Sequence, residues 1–298
     1  MAELMKDAFD ASHINALSKE IAKVHKDFPA KRFKKLTTSG RDWKALEMKE
    51  RMRRISDSLA ECLPDDYEKA VTVLVAACRP FSGLQALVFP DFVEVYGRKY
   101  WKTSMKALAV FTELCSSEFG IRPFIEQDPD LAFRQLKLWS ESENEHLRRL
   151  ASEGCRPFLP WGNRIAWLNE NPDRIIQILD TLKADRSLYV RKSVANNLND
   201  LSKIDADKVL VLAESWRGAC EETNWIVKHA LRTLLKKAEP RALALFDYRD
   251  PADFLLKGFR IRQKTISIGD EIQFGFCLES RSGPLGKLRI EYVIAYVK

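Results

Sequence analysis

A helical pattern that returns three times limits the folds open to this chain more than any other feature. The copies read EHLRRLASEGCRPFLPW from Glu145, LYVRKSVANNLNDLSK from Leu188 and WIVKHALRTLLKKA from Trp225. With Leu147, Val190 and Val227 aligned, they stand 43 and then 37 residues apart, the period of HEAT-like paired helices that stack into a curved solenoid. In the second copy Val190, Val194, Leu198 and Leu201 recur about one turn apart, so a single apolar stripe faces the neighbouring helices. The same alignment sets Arg149, Glu153 and Arg156 in register with Lys192, Asn196 and Asn199, and with His229, Thr233 and Lys236. The result is a polar, mostly basic stripe on a concave or lateral surface.

Punctuation supports the repeat. Cys78-Arg79-Pro80-Phe81, Ile121-Arg122-Pro123-Phe124 and Cys155-Arg156-Pro157-Phe158 read as three similar helix stops, because proline pushes the residue before it out of the helical region. After Asp250-Pro251 the period changes to two. FRIRQKTISIG, DEIQFGFCLES and KLRIEYVIAYVK read as antiparallel strands, with Ile272, Phe274, Phe276 and Leu278 on one face and Leu288, Ile290, Tyr292 and Ile294 on another. Ser282-Gly283-Pro284-Leu285-Gly286 reads as the turn before the last of them. The expected architecture is mainly α: a HEAT-like helical-repeat solenoid over residues 1–249, then a short β-rich module over residues 250–298. About fifty residues are too few for the seven strands of an immunoglobulin-like sandwich, which leaves an incomplete module or a small sheet. An open edge on such a sheet could also accept a strand from another chain.

A net charge of +7 suits an anionic partner such as nucleic acid. The basic clusters Lys31, Arg32, Lys34, Lys35 and Arg51, Arg53, Arg54 fit either that partner or an ordinary solvated helix face. The cysteines are scattered, with no paired spacing, so neither a zinc site nor a disulfide framework is expected. The scattered cysteines fit a reducing cytosol, and no stretch resembles a signal peptide or a membrane span, so a cytoplasmic protein without a membrane partner is expected; a monomer is expected as well. No nucleophile elbow, P-loop, dinucleotide fingerprint or metal-binding helix is found. Neither a metal nor a cofactor is expected.

What remains for chemistry are carboxylates and aromatics at helix ends: Glu118, Glu153, Asp200 and Trp161. Helical spacing puts Arg149, Glu153 and Arg156 on one face, opposite Leu147, Ala151 and Cys155. Arg149 and Glu153 are four apart and also make an ordinary salt-bridge ladder; Asn196 and Asp200 are four apart and can hydrogen-bond each other. Trp161, between Pro160 and Gly162, either plugs the end of the core or presses an indole onto a sugar or base.

The stretches Leu147–Trp161 and Tyr189–Lys203 resemble the AlkC branch of the AlkC/AlkD DNA glycosylases, HEAT-like-repeat proteins that remove alkylated bases. The similarity runs over nearly the whole chain, and the tail resembles the first half of the immunoglobulin-like domain that follows the repeats in one branch. The resemblance implies DNA containing alkylated bases as partner. It also implies hydrolysis of the N-glycosidic bond of a cationic lesion such as 3-methyladenine or 3-methylcytosine, without base flipping. Glu118, Glu153, Asp200 and Trp161 would then take the catalytic roles, carboxylates stabilising the sugar cation and positioning water. Arg149 and Arg156 become orienting partners or phosphate contacts. Arg191, Lys192, Asn196, Lys228 and Arg232 complete the DNA-binding surface. Where the AlkD branch has an aromatic, this chain has Asn196, so the second copy offers no aromatic wall. A non-catalytic repeat module holding nucleic acid or an acidic protein with the same stripe is the alternative.

Overall fold

The computed structural model describes residues 4–39, 43–249, 251–263, 265–281, 283–284 and 286–295. Asp250 at the expected boundary, Ser282 and Leu285 of the expected turn, and residues 296–298 of the last expected strand lie outside the described residues. Helices fill the chain from Ala11 to Leu245. Many begin where an acidic or amide side chain caps them: Asp10, Asp66, Asp128 and Asp205 each accept a hydrogen bond from the backbone three residues on, and Asn144 does so for His146. Each cap satisfies a donor that the helix cannot satisfy itself. Glu47 and Glu50 form a reciprocal capping box at Met48–Ala60.

One continuous apolar core runs from Phe9 to Leu245. The three repeat helices, Glu145–Gly154, Leu188–Leu201 and Glu221–Ala230, lie side by side, the middle one against both others. Val190, Val194, Leu198 and Leu201 are all buried, as their spacing requires. Polar links reinforce the stack: Asn197 donates to the Ser152 carbonyl, and Asn199 to the Ala230 carbonyl and the Thr233 hydroxyl. The third copy is broken at Leu231, after which a separate short helix covers Arg232–Lys236.

Two expectations are corrected. Arg122-Pro123 opens a helix, Arg122–Gln127, instead of closing one; in a first turn the missing proline N–H has no partner to lose. The other two Arg-Pro-Phe motifs do follow helix ends, at Ala77 and Gly154. In the tail only two of the three segments form strands among the described residues, β1 (Phe254–Ile261) and β2 (Phe274–Ser280). They pair antiparallel, Phe254 opposite Ser280 and Ile261 opposite Phe274, with a bulge between Lys257 and Arg260. Gly258 sits at the bulge with φ 61°, a conformation that glycine adopts without steric cost. The segment after Lys287 makes no ladder; Lys287 only bridges to Tyr248, and Ile290, Tyr292 and Ile294 are more than half exposed. Alternating apolar residues with no facing sheet to cover them do not fix a strand.

His13 is 2% exposed, edge-on to Phe9 and Phe81, and among the described residues its ring nitrogens make at most a weak contact, with the Gln85 backbone. Burial lowers its pKa from 6.5 to about 4. The unfolded chain therefore takes up this proton at a higher pH than the folded one. The contribution of neutral His13 to stability is full above pH 6.5 and is lost as pH falls towards 4, with a total on the order of 3 kcal/mol. Thermal unfolding followed across that window should show a steeper loss of Tm for the wild type than for His13→Leu.

Candidate active site

Three elements converge on one row of charge. Glu118 lies in the turn before Arg122–Gln127, Glu153 in the last turn of the first repeat helix, and Asp200 in the last turn of the second. Two arginines join them. Arg149 donates to Glu118 Oε2 at 2.5 Å and lies 3.5 Å from Glu153 Oε1. Arg156, just past the helix end, donates to Glu153 Oε1 at 2.6 Å and to Asp200 Oδ2 at 2.9 Å. The order is Glu118, Arg149, Glu153, Arg156, Asp200. The ladder that the spacing of Arg149 and Glu153 suggested is present, and it extends across three elements.

The carboxylates differ in what is left over. Both oxygens of Glu153 are engaged, the second by the Ser193 hydroxyl at 2.6 Å. Both of Asp200 are engaged as well, the second by Lys203 at 3.1 Å. Glu118 uses only Oε2, shared by Ser116 and Arg149; its Oε1 has no hydrogen-bond partner among the described residues. Side-chain exposure follows the same order, 14% for Glu118, 7% for Glu153 and 3% for Asp200. Glu118 is thus the carboxylate that a ligand or water can reach.

Burial works against charge on Arg149, but Glu153 and Glu118 more than offset it and hold its pKa above the ordinary value. Arg156 is raised in the same way, burial being outweighed by Glu153 and Asp200. The Tyr189 ring lies 5.1 Å from the Arg149 guanidinium, adding a cation–π contact. Cys155, behind the row, is fully buried and its thiol is pushed up to about 12 by burial, so it is no nucleophile. Among the described residues no group of three histidine, cysteine or acidic side chains is placed to hold a metal, and no helix is long and apolar enough to cross a membrane.

Trp161 stands in the loop after Arg156, 56% exposed, so it does not plug the core. Its φ of 62° is the left-handed region, which costs a bulky side chain about 1–3 kcal/mol. The loop is held from within by Arg122, which donates to the carbonyls of Gly154, Arg156 and Asn163. From outside, Lys49 donates to the Trp161 carbonyl.

The basic stripe divides into engaged and open groups. Arg191 donates to the carbonyls of Asp185 and Arg186. Arg232 donates to Asn196 Oδ1 and to the His229 carbonyl, so Asn196 meets Arg232 and not Asp200. Lys192 and Lys228 are exposed and have no ion-pair partner among the described residues. In the N-terminal clusters Arg51 is buried against the Lys6 carbonyl and Arg53 grips both oxygens of Asp91. Both tie helices together, Arg51 from a buried position and Arg53 from one still partly open to solvent. Ser116, Ser193, Lys203, Tyr189 and Arg122 all touch the row or its loop and were not among the site residues expected from sequence. For Tyr189 and Ser193 the signal was their place in the second repeat motif.

A solved structure, the Pseudomonas fluorescens alkylpurine DNA glycosylase AlkC bound to DNA containing an abasic site analog, superposes with a TM-score of 0.82 at 40% identity, covering 94% of this chain and 77% of that one. The uncharacterized protein YhaZ of Bacillus subtilis (strain 168) is 45% identical over 298 residues, all of this chain and 82% of the relative. The DNA alkylation repair enzyme family matches residues 101–234.

The chain belongs to the AlkC-type DNA alkylation repair family. The family match spans Glu118, Glu153, Trp161 and Asp200, together with both bridging arginines. In an AlkC-type chain built this way, Arg156 is the joint between repeats. Arg156→Met should leave the buried Glu153 and Asp200 without the cation that joins them, each keeping only its outer cation, Arg149 or Lys203, lowering unfolding free energy by about 3–5 kcal/mol. Urea titration of both proteins measures it, and Arg156→Lys should recover part of the loss.

Proposed function

We propose that this protein is a DNA glycosylase that hydrolyses the N-glycosidic bond of cationic N-alkylated bases, with binding and catalysis in residues 1–249. The observation that carries the reading is the Oε1 of Glu118, without a hydrogen-bond partner among the described residues, at the end of a buried row whose other carboxylates are fully engaged. A methylated base such as 3-methyladenine or 3-methylcytosine already bears positive charge. When the C1′–N bond breaks, both electrons leave with the base, which departs neutral and needs little proton donation. The charge that develops is on the sugar, and a fixed carboxylate beside C1′ stabilises it. Glu118 takes that role and orients water, whose oxygen bonds to C1′ while its proton passes through the carboxylate to solvent.

Glu153 and Asp200 hold Arg149 and Arg156, so that Glu118 meets a preorganised field and not a mobile one. The exposed Trp161 indole offers its π face to the lesion or sugar cation. A carboxylate with one unpaired oxygen and an exposed ring act on a nucleotide at the repeat surface, without extrusion into a pocket. Lys192 and Lys228 supply sequence-independent phosphate affinity.

Purified protein incubated with N-methylated duplex should release modified bases detectable by chromatography. Glu118→Gln should lower the single-turnover rate by roughly 100-fold or more with DNA affinity little changed. Binding without any release would assign the chain to the repeat-module reading. In a separate titration, Lys192→Ala and Lys228→Ala should each reduce the slope of log affinity against log salt by about one; unchanged slopes would remove those lysines from the contact surface.

A further inference from the structure

We infer that Lys49 is a positioning residue for Trp161, clamping the indole-bearing loop to the turn that carries Glu118. The inference rests on the glycosylase reading above, in which both residues act on the lesion. Lys49 lies 112 residues from Trp161 in sequence, in the first turn of the helix Met48–Ala60, yet its ammonium donates to the Trp161 carbonyl at 2.5 Å. The same nitrogen stands 4.6 Å from the centroid of Phe119, the residue next to Glu118. One cation thus touches both loops of the site, one through a charge-assisted hydrogen bond and the other through a ring face.

The Trp161 peptide needs such a hold. Its φ of 62° is one that a tryptophan abandons unless its surroundings fix it. Arg122 fixes Gly154, Arg156 and Asn163, residues on either side, but not the Trp161 peptide itself. The adjacent turn, Gly162 N–H to the Leu159 carbonyl, closes the chain without gripping the Trp161 oxygen. Lys49 alone among the described side chains donates to it. An exposed lysine on a DNA-facing surface also suggests a phosphate contact, and the two roles separate experimentally.

Lys49→Met keeps the aliphatic stem and removes the charge at an exposed position. In the full chain it should lower single-turnover base release at saturating enzyme by about tenfold, with the salt slope of DNA binding unchanged. Lys49→Arg should recover most of the rate. In a Trp161→Ala background, Lys49→Met should have little further effect. A salt slope that falls by about one with an unchanged saturating rate would make Lys49 a phosphate contact and overturn the inference, as would fully additive losses in the double variant. Trp161 emission, taken as the difference between the protein and its Trp161→Phe variant, gives a readout independent of catalysis. Lys49→Met should change that emission and its acrylamide quenching, and no change would overturn the clamp. Should the wild type release no base, the glycosylase reading fails and the emission result decides the clamp by itself.

Discussion

Five charged side chains from three elements share one row that water barely enters, and the arrangement of the repeats depends on their alternation of sign. Taking a carboxylate or a guanidinium out of water carries a penalty of several kcal/mol, which a partner at hydrogen-bond distance offsets only when the geometry is good. Here each arginine lies between two acids, and each buried acid has both oxygens occupied. A slip of one repeat past its neighbour would strand at least one of these charges. The row therefore opposes misregister more than it adds to stability. The same constraint leaves Glu118, at its open end, as the acid with unused capacity.

The helical repeats were legible because a buried stripe must recur with the helical period, and Val190, Val194, Leu198 and Leu201 obey that rule. Their neighbours Arg149, Glu153 and Arg156 were legible as one face for the same reason. Proline was less readable: Arg122-Pro123-Phe124 has the same composition as its two counterparts, but a proline suits the first turn of a helix as well as the residues after its end. Period-two alternation over 287–295 overstated strand content, since alternation records which side would face a core and the tail has little core to face. The convergence of Glu118 with Glu153 and Asp200 was visible only as a list of acidic residues near helix ends. Their contact needs Arg149 and Arg156 to reach across packed helices, and no local spacing encodes that reach. The hydroxyl of Ser116 was invisible for the same reason.

Positive charge on this chain has two different fates. Arg51, Arg53, Arg122, Arg148, Arg149 and Arg156 are turned onto carboxylates or backbone carbonyls, where a rigid planar group with several donors is well suited. Lysines such as Lys192 and Lys228 remain in solvent, where a compact, hydrated cation on a flexible stem can follow a phosphate chain. Counting basic residues treats the two alike. An arginine paired with a carboxylate is largely cancelled at a distance, whereas an unpaired lysine keeps its full field for a polyanion to feel.

The first repeat helix ends in Gly154, and a β-carbon built there would stand 2.6 Å from Cγ2 of Ile121, a stiff, fully buried side chain. The turn bearing Glu118 can approach Glu153 because that methyl group has room. Alanine at this place would act as a wedge between the two acids, prising the outer one off its arginine without altering a charge. The electrostatic spacing of the row is in this sense a steric property, set by the smallest side chain in it.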